Sequence, residues 1–145
     1  MILNIRHTGI VVSNLKLSKH FYCDLLGFKV QKEVDESGDY IDNFLALENV
    51  LVTTSKMTLE NDQMIELLYY KSHPETPDMS RKINQIGCSH IALTVSNLDD
   101  LYNKLLEHNI YFTSPPQYSP DGKAKVTFCK DPDGSLVELV EELKK

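Results

Sequence analysis

His7-Thr8-Gly9-Ile10-Val11-Val12-Ser13-Asn14-Leu15 and His90-Ile91-Ala92-Leu93-Thr94-Val95-Ser96-Asn97-Leu98 are two versions of one phrase. His7, Val12, Ser13, Asn14 and Leu15 recur at a constant offset of 83. Each version alternates like a strand, then offers Ser and Asn as helix N-caps ahead of a leucine. Each half of the chain also closes on a carboxylate set among apolar residues. These are Met64-Ile65-Glu66-Leu67-Leu68 and Leu136-Val137-Glu138-Leu139-Val140. Such a pattern points to a duplicated module.

Outward from the motif, the first copy predicts a strand over 3–12 and a helix through Leu26, with Leu17, Phe21, Leu25 and Leu26 as its buried stripe. Gly27 is placed to end that helix in a left-handed conformation. A second strand starts at Phe28, and the acidic stretch 33–42 reads as a loop or hairpin turn. Strands follow near 43–54 and 63–70. The second copy predicts a strand over 88–95 and a helix with Leu98, Leu101, Leu105 and Leu106 on its apolar face. Tyr111-Phe112-Thr113 starts its next strand. A Pro- and Ser-rich loop over 113–122 precedes a strand over 123–130. Asp131-Pro132-Asp133-Gly134 forms a tight turn, the last strand covers 135–141, and a charged tail closes the chain. The fold class is therefore α+β: two tandem βαβββ modules, residues 1–72 and 88–145, joined by a linker over 73–87 that holds Pro74 and Pro77.

Composition narrows the partners. The 145 residues are 41% hydrophobic and 25% charged, with a formal net charge of −6. That charge disfavours nucleic acid and anionic membranes. No apolar stretch approaches spanning length, and the opening residues enter a strand pattern at once rather than a leader peptide. Cys23, Cys88 and Cys129 are odd in number and widely spaced, which fits a reduced, cytoplasmic protein in which they are small, semi-buried apolar residues.

Strand parity carries the chemistry. His7, Gly9 and Val11 share one face and Ile10 and Val12 the other; His90, Ala92 and Thr94 likewise oppose Ile91, Leu93 and Val95. The apolar face belongs on the module's helix. The histidine face is then expected to look into a cavity, with the small Gly9 and Ala92 beside it leaving room. Glu66 and Glu138 each oppose their apolar strand neighbours. A carboxylate in such a setting is costly to bury unless it is paired or binds a metal. Two carboxylates, one divalent ion and two neutral imidazoles sum to zero charge. Two nitrogen and two oxygen donors leave positions for water or substrate. Zinc, nickel or cobalt suit these donors, as do iron and manganese. His20, His73 and His108 have no counterpart in the other copy and read as exposed. Asp24, Glu33, Asp35, Glu36 and Asp39 read as an acidic surface.

Taken together, His7-Thr8-Gly9-Ile10-Val11-Val12, Phe21-Tyr22, Leu25-Leu26-Gly27-Phe28, Ile65-Glu66-Leu67, Ser89-His90-Ile91-Ala92 and Asp131-Pro132-Asp133-Gly134 with Val137-Glu138-Leu139 resemble the vicinal oxygen chelate superfamily. This is the group of glyoxalase I, methylmalonyl-CoA epimerase, bleomycin resistance proteins and extradiol dioxygenases. The resemblance implies a glyoxalase-like fold whose curled mixed sheets enclose a metal cleft. It also implies His7, Glu66, His90 and Glu138 as ligands, and a homodimer.

A fourth, acidic ligand favours the isomerase and lyase branch over three-ligand dioxygenases or thiol transferases, and over metal-free resistance proteins. The expected activity moves a proton next to a carbonyl or thioester of a small molecule, with Glu138 and Glu66 as the acid/base pair. Glu66-Leu67-Leu68 resembles the corresponding run of methylmalonyl-CoA epimerases. Bacterial glyoxalase I usually has an arginine where this chain has Val11 and an asparagine where it has Tyr70; both departures argue against glutathione.

Overall fold

A computed structural model describes residues 1–60 and 63–143; Lys144 and Lys145 of the charged tail lie outside them. The chain divides into two compact units, Met1–Pro77 and Asp78–Lys145. Residues 71–89, which span the division, contain no helix or strand.

The first unit builds a four-stranded mixed sheet in the order β1-β4-β3-β2. Its strands are β1 (Thr8–Val11), β2 (Lys29–Ser37), β3 (Leu51–Thr58) and β4 (Met64–Tyr70). β1 runs parallel to β4, and the other pairings are antiparallel. The sheet is open, with β1 and β2 as its edges, and does not close on itself.

Helix α1 (Leu15–Lys19) starts at Asn14, whose side chain accepts the Leu17 N–H at 3.1 Å. Removing such a cap typically costs about 1 kcal/mol. The helix continues as a π-helical segment, His20–Leu25, and Gly27 follows at φ +88°. This wider winding re-phases the apolar stripe. Ser18, Phe21, Tyr22 and Leu25 are buried, whereas Leu17, expected inside, is exposed. Phe21 and Tyr22 meet edge to face at 4.9 Å, and Cys23 Sγ lies 3.9 Å from Met57 Sδ. The helix therefore covers the sheet face that carries Met57. Ile10, Met57, Ile65 and Leu67 are all buried there.

The acidic stretch 33–42 departs from expectation. β2 runs on to Ser37, and only the Gly38 region turns. Glu33 and Asp35 tolerate strand pairing because cations and hydroxyls meet them. Lys19 Nζ lies 2.8 Å from Glu33, and Ser55 Oγ donates to it at 3.0 Å. Lys71 Nζ lies 2.8 Å from Asp35, which also accepts the Thr53 hydroxyl. A helix α2 (Asp39–Leu45) then occupies the start of the segment expected as a strand over 43–54. Its Ile41 and Leu45 pack with Val50, Val52, Leu68 and Tyr70. By parity that is the sheet face opposite α1. The strand itself lies later, at Leu51–Thr58. The strand expected over 3–12 is confined to Thr8–Val11.

The second unit repeats the topology as β5-β8-β7-β6. Its elements are β5 (His90–Thr94), α3 (Leu98–Glu107), β6 (Gln117–Tyr118), β7 (Ala124–Lys130) and β8 (Leu136–Glu142). Asn97 caps α3 by accepting the Asp100 N–H at 3.2 Å. Leu98 and Leu105 are fully buried, but Leu106, expected on the same face, is exposed. Tyr111-Phe112-Thr113 contributes only an isolated bridge, Phe112 to Cys129, and pairing resumes at β6 inside the expected 113–122 loop. Gly134 turns at φ +85° with its N–H donating to Asp131 O at 3.0 Å. A Cβ there would sit 3.1 Å from Asp78 O, so glycine is required on both counts.

Candidate metal-ligand pairs

Parallel pairing of first and last strands places the donors. In the first unit Gly9 stands opposite Glu66; in the second Ala92 stands opposite Glu138. Each histidine lies two residues before its small residue and so shares the face of the glutamate. His7 sits one residue ahead of β1, and Val11 on the same face is exposed, while Ile10 and Val12 are buried. A Cβ on Gly9 would come 3.3 Å from Leu68 Cδ1, so the sheet packs closely where glycine sits.

Two pairs result. His7 Nε2 is 2.9 Å from Glu66 Oε2, and His90 Nε2 is 3.2 Å from Glu138 Oε2. Glu66 is buried, with 10% of its side chain exposed against 23% for Glu138. The imidazoles are held differently. Ser89 Oγ lies 2.7 Å from His90 Nδ1, and the Phe128 ring meets the His90 ring edge to face at 5.2 Å. In the neutral tautomer that satisfies both contacts, Nε2–H donates to Glu138 and Nδ1 accepts the Ser89 hydroxyl. His7 Nδ1 is buried with no hydrogen-bond partner among the described residues.

Lys56 is the residue that sequence reasoning missed. It stands directly opposite Glu66 in the β3–β4 ladder, with Nζ 3.4 Å from Glu66 Oε1. Both oxygens of Glu66 thus have a partner, and its burial needs no ion. The signal was a spacing: Lys56 precedes Glu66 by ten residues, as Phe128 precedes Glu138. Phe128 and Glu138 are register partners too.

Among the described residues, no group of three or more His, Cys, Asp or Glu side chains is gathered to hold a metal. Each unit by itself offers a pair. Imidazole nitrogens and carboxylate oxygens are donors that suit a divalent ion; the two His–Glu separations are those of ordinary imidazole–carboxylate contacts. The Nε2 and carboxylate donors also match the expected donor set.

Other sequence expectations resolve within the units. His20 pairs with Asp24 at 2.8 Å, and His73 Nδ1 lies 2.7 Å from Ser72 Oγ. Cys129 is fully buried and burial pushes its thiol up to about 12, which removes it as a nucleophile. Cys88 is exposed rather than semi-buried. Tyr70 is committed to packing with α2. No helix among the described residues is long and apolar enough to cross a membrane.

Residues 4–139 match the model of the Glyoxalase/Bleomycin resistance protein/Dioxygenase superfamily. The chain is 32% identical over 139 residues to YaeR of Escherichia coli (strain K12), covering 95% of each. It is 26% identical over 140 residues to a probable lactoylglutathione lyase of Synechocystis, covering 96% of this chain and 95% of that protein. The solved structure of a glyoxalase family protein from Bacillus cereus superposes with a TM-score of 0.89 at 21% identity, over 99% of this chain and 97% of that one. The chain belongs to the glyoxalase/bleomycin resistance protein/dioxygenase superfamily.

Proposed function

We propose that His7, Glu66, His90 and Glu138 ligate one divalent ion, and that the protein is a metal-dependent isomerase or lyase moving a proton next to a carbonyl or thioester. The observation that carries this is the repeated His–Glu pair, built by the same parallel register in both units. When bound, such an ion polarises the substrate oxygen and stabilises the negative charge that develops there. Zinc, nickel or cobalt suit the donors best, with iron and manganese also compatible.

The chain's residues do the rest. His7 and His90 anchor the ion. Glu138, the more exposed carboxylate, would take the proton from the carbon next to the carbonyl, and Glu66, after gaining a proton from solvent, would return one, with Glu138 then losing its proton to solvent. Two carboxylates on different strands suit protonation from either side, as an epimerisation requires. A methylmalonyl-CoA epimerase-like reaction is the leading reading. A lactoylglutathione lyase-like reaction is the second, supported by the Synechocystis relative and opposed by Val11 and by the packing of Tyr70. The setting is a cytoplasmic homodimer acting on a small molecule.

Incubation in heavy water with methylmalonyl-CoA, and separately with the glutathione hemithioacetal of methylglyoxal, tests this. Solvent deuterium is expected at the carbon next to the carbonyl of one of them, lost on adding chelator. No exchange in either, by protein carrying about one divalent ion per chain, would overturn the assigned activity.

A further inference from the structure

Among the described residues, the second unit has no counterpart of α2. The inner face of that helix is spent on the sheet through Ile41 and Leu45. Its outer face carries Tyr40 and Phe44, 80% and 70% exposed, with their rings stacked parallel at 6.2 Å. Leu47, two residues past the helix, is exposed as well. Neighbouring large rings left in water mark an interaction surface.

Charge narrows what this surface takes. Residues 33–55 hold Glu33, Asp35, Glu36, Asp39, Asp42 and Glu48 and no lysine, arginine or histidine, so the stretch carries a formal charge equal to the −6 of the whole chain. Lys19 and Lys71 pair with Glu33 and Asp35, and Asp42 accepts the Asn49 and Val50 N–H groups. Asp39 and Glu48 flank the two rings in the chain, and both are exposed. Aromatic rings between carboxylates suit an apolar segment that carries an arginine, whose guanidinium stacks on ring faces and pairs with carboxylates.

The chain itself holds such a segment. Met1-Ile2-Leu3-Asn4-Ile5-Arg6 takes no helix or strand, and Arg6 is its one charged side chain. Met1, Ile2, Leu3 and Ile5 are each at least 90% exposed. This arm joins β1 at Thr8, the register partner of Ile65, whereas α2 packs further along β4, at Leu68 and Tyr70. Ile65 and Tyr70 are about 17 Å apart along the strand. To reach its own α2 the arm would have to double back along the sheet; the α2 of another copy requires no such reversal. Six extended residues span about 20 Å and α2 about 10 Å, so one arm covers both rings and brings Arg6 to a carboxylate beyond them.

We infer that Tyr40 and Phe44 receive the arm Met1–Arg6 of a second copy of this chain, and that two copies exchange arms reciprocally. Such an exchange is isologous and closes as a dimer. Two contacts, each of an apolar arm on two rings, bury on the order of 1,000 Å², the least that a specific interface needs. The inference gives the homodimer of the reading above a surface, and it is independent of the metal ligands and of the reaction.

Sedimentation velocity over about a hundredfold range of concentration reads the dimer. Photoreactive benzoylphenylalanine in place of Phe44, in unlabelled chain mixed with isotope-labelled unmodified chain, reads the contact. Crosslinks are expected to join position 44 of one isotope to residues 1–6 of the other. Ile2→Ser, Leu3→Ser and Ile5→Ser together, and separately Tyr40→Ser with Phe44→Ser, should each weaken dimerisation about tenfold or more. All five side chains are exposed, so folding should survive; a melt checks this, and the crosslink needs neither variant. A dimer of unchanged affinity in both folded variants, or crosslinks confined to one isotope or to other residues, overturns the arm contact and leaves the homodimer standing. A chain that stays monomeric overturns both, and the metal content of that chain still tests the ligands separately.

Discussion

In the first unit Glu66 is buried between an imidazole and an ammonium; in the second, Glu138 is more open and its imidazole is braced by a hydroxyl and a phenyl ring. Duplication preserved the donors and the register. It did not preserve the side chains around each pair. The copies agree in the register that brings each His to its Glu and differ in the side chains packed around the pair.

The sharpest way to break the comparison is to remove one donor from each unit in turn. His7→Ala and Glu138→Ala should each lower metal content from about one ion per chain to under about a tenth, read by elemental analysis after dialysis. If either variant keeps half its metal, the units bind separately and the shared centre falls.

Ser89→Ala probes the difference in bracing. It leaves the His90 Nδ1 without its hydroxyl partner, so metal affinity should weaken about tenfold. No equivalent lever exists at His7, whose Nδ1 has no partner among the described residues. An unchanged affinity would show that the serine does not orient the ring.

A smaller effect is expected from equalising the small residues. Gly9→Ala forces Leu68 Cδ1 to move a few tenths of an ångström and should cost up to about 1 kcal/mol in urea unfolding. Stabilisation would mean that lost chain entropy outweighs the contact.

The smallest is acid sensitivity. The Lys19 ammonium, with Ser55, holds the Glu33 carboxyl below its ordinary value. A depressed carboxyl contributes stability above its unfolded pKa and loses it as pH falls through the folded one. Glu33→Gln should therefore flatten the acid limb of a stability–pH curve and lower stability slightly at neutral pH. An unchanged acid limb would show the pair to be energetically silent.

Donors were legible because strand alternation has period 2 and the motif recurs. His7 and His90 needed only counting. Lys56 was hidden because its role depends on hairpin register, and a strand read over 43–54 stopped short of it. Apolar Leu51, Val52 and acidic Asp42 gave no sign that α2 had displaced the strand. The repeat did hold a clue: the offset falls from 83 at the histidines to 72 at the glutamates. Eleven extra residues must therefore lie in the first unit, where β2 and α2 now account for length that a plain βαβββ order does not need. Leu17 was misread for a different reason, since ordinary helical spacing does not anticipate a π-helical segment.

The parallel pairing of β1 with β4, and of β5 with β8, also fixes when each pair can form. His7 and Glu66 are 59 residues apart in the chain, and His90 and Glu138 are 48 apart. Such pairings require nearly a whole unit to be collapsed, and they close late and slowly relative to helices or hairpins. Each His–Glu contact is therefore a marker of completed folding of its own unit. An ion added during refolding should be captured only after both first and last strands have docked, so metal uptake would time the end of folding rather than its beginning.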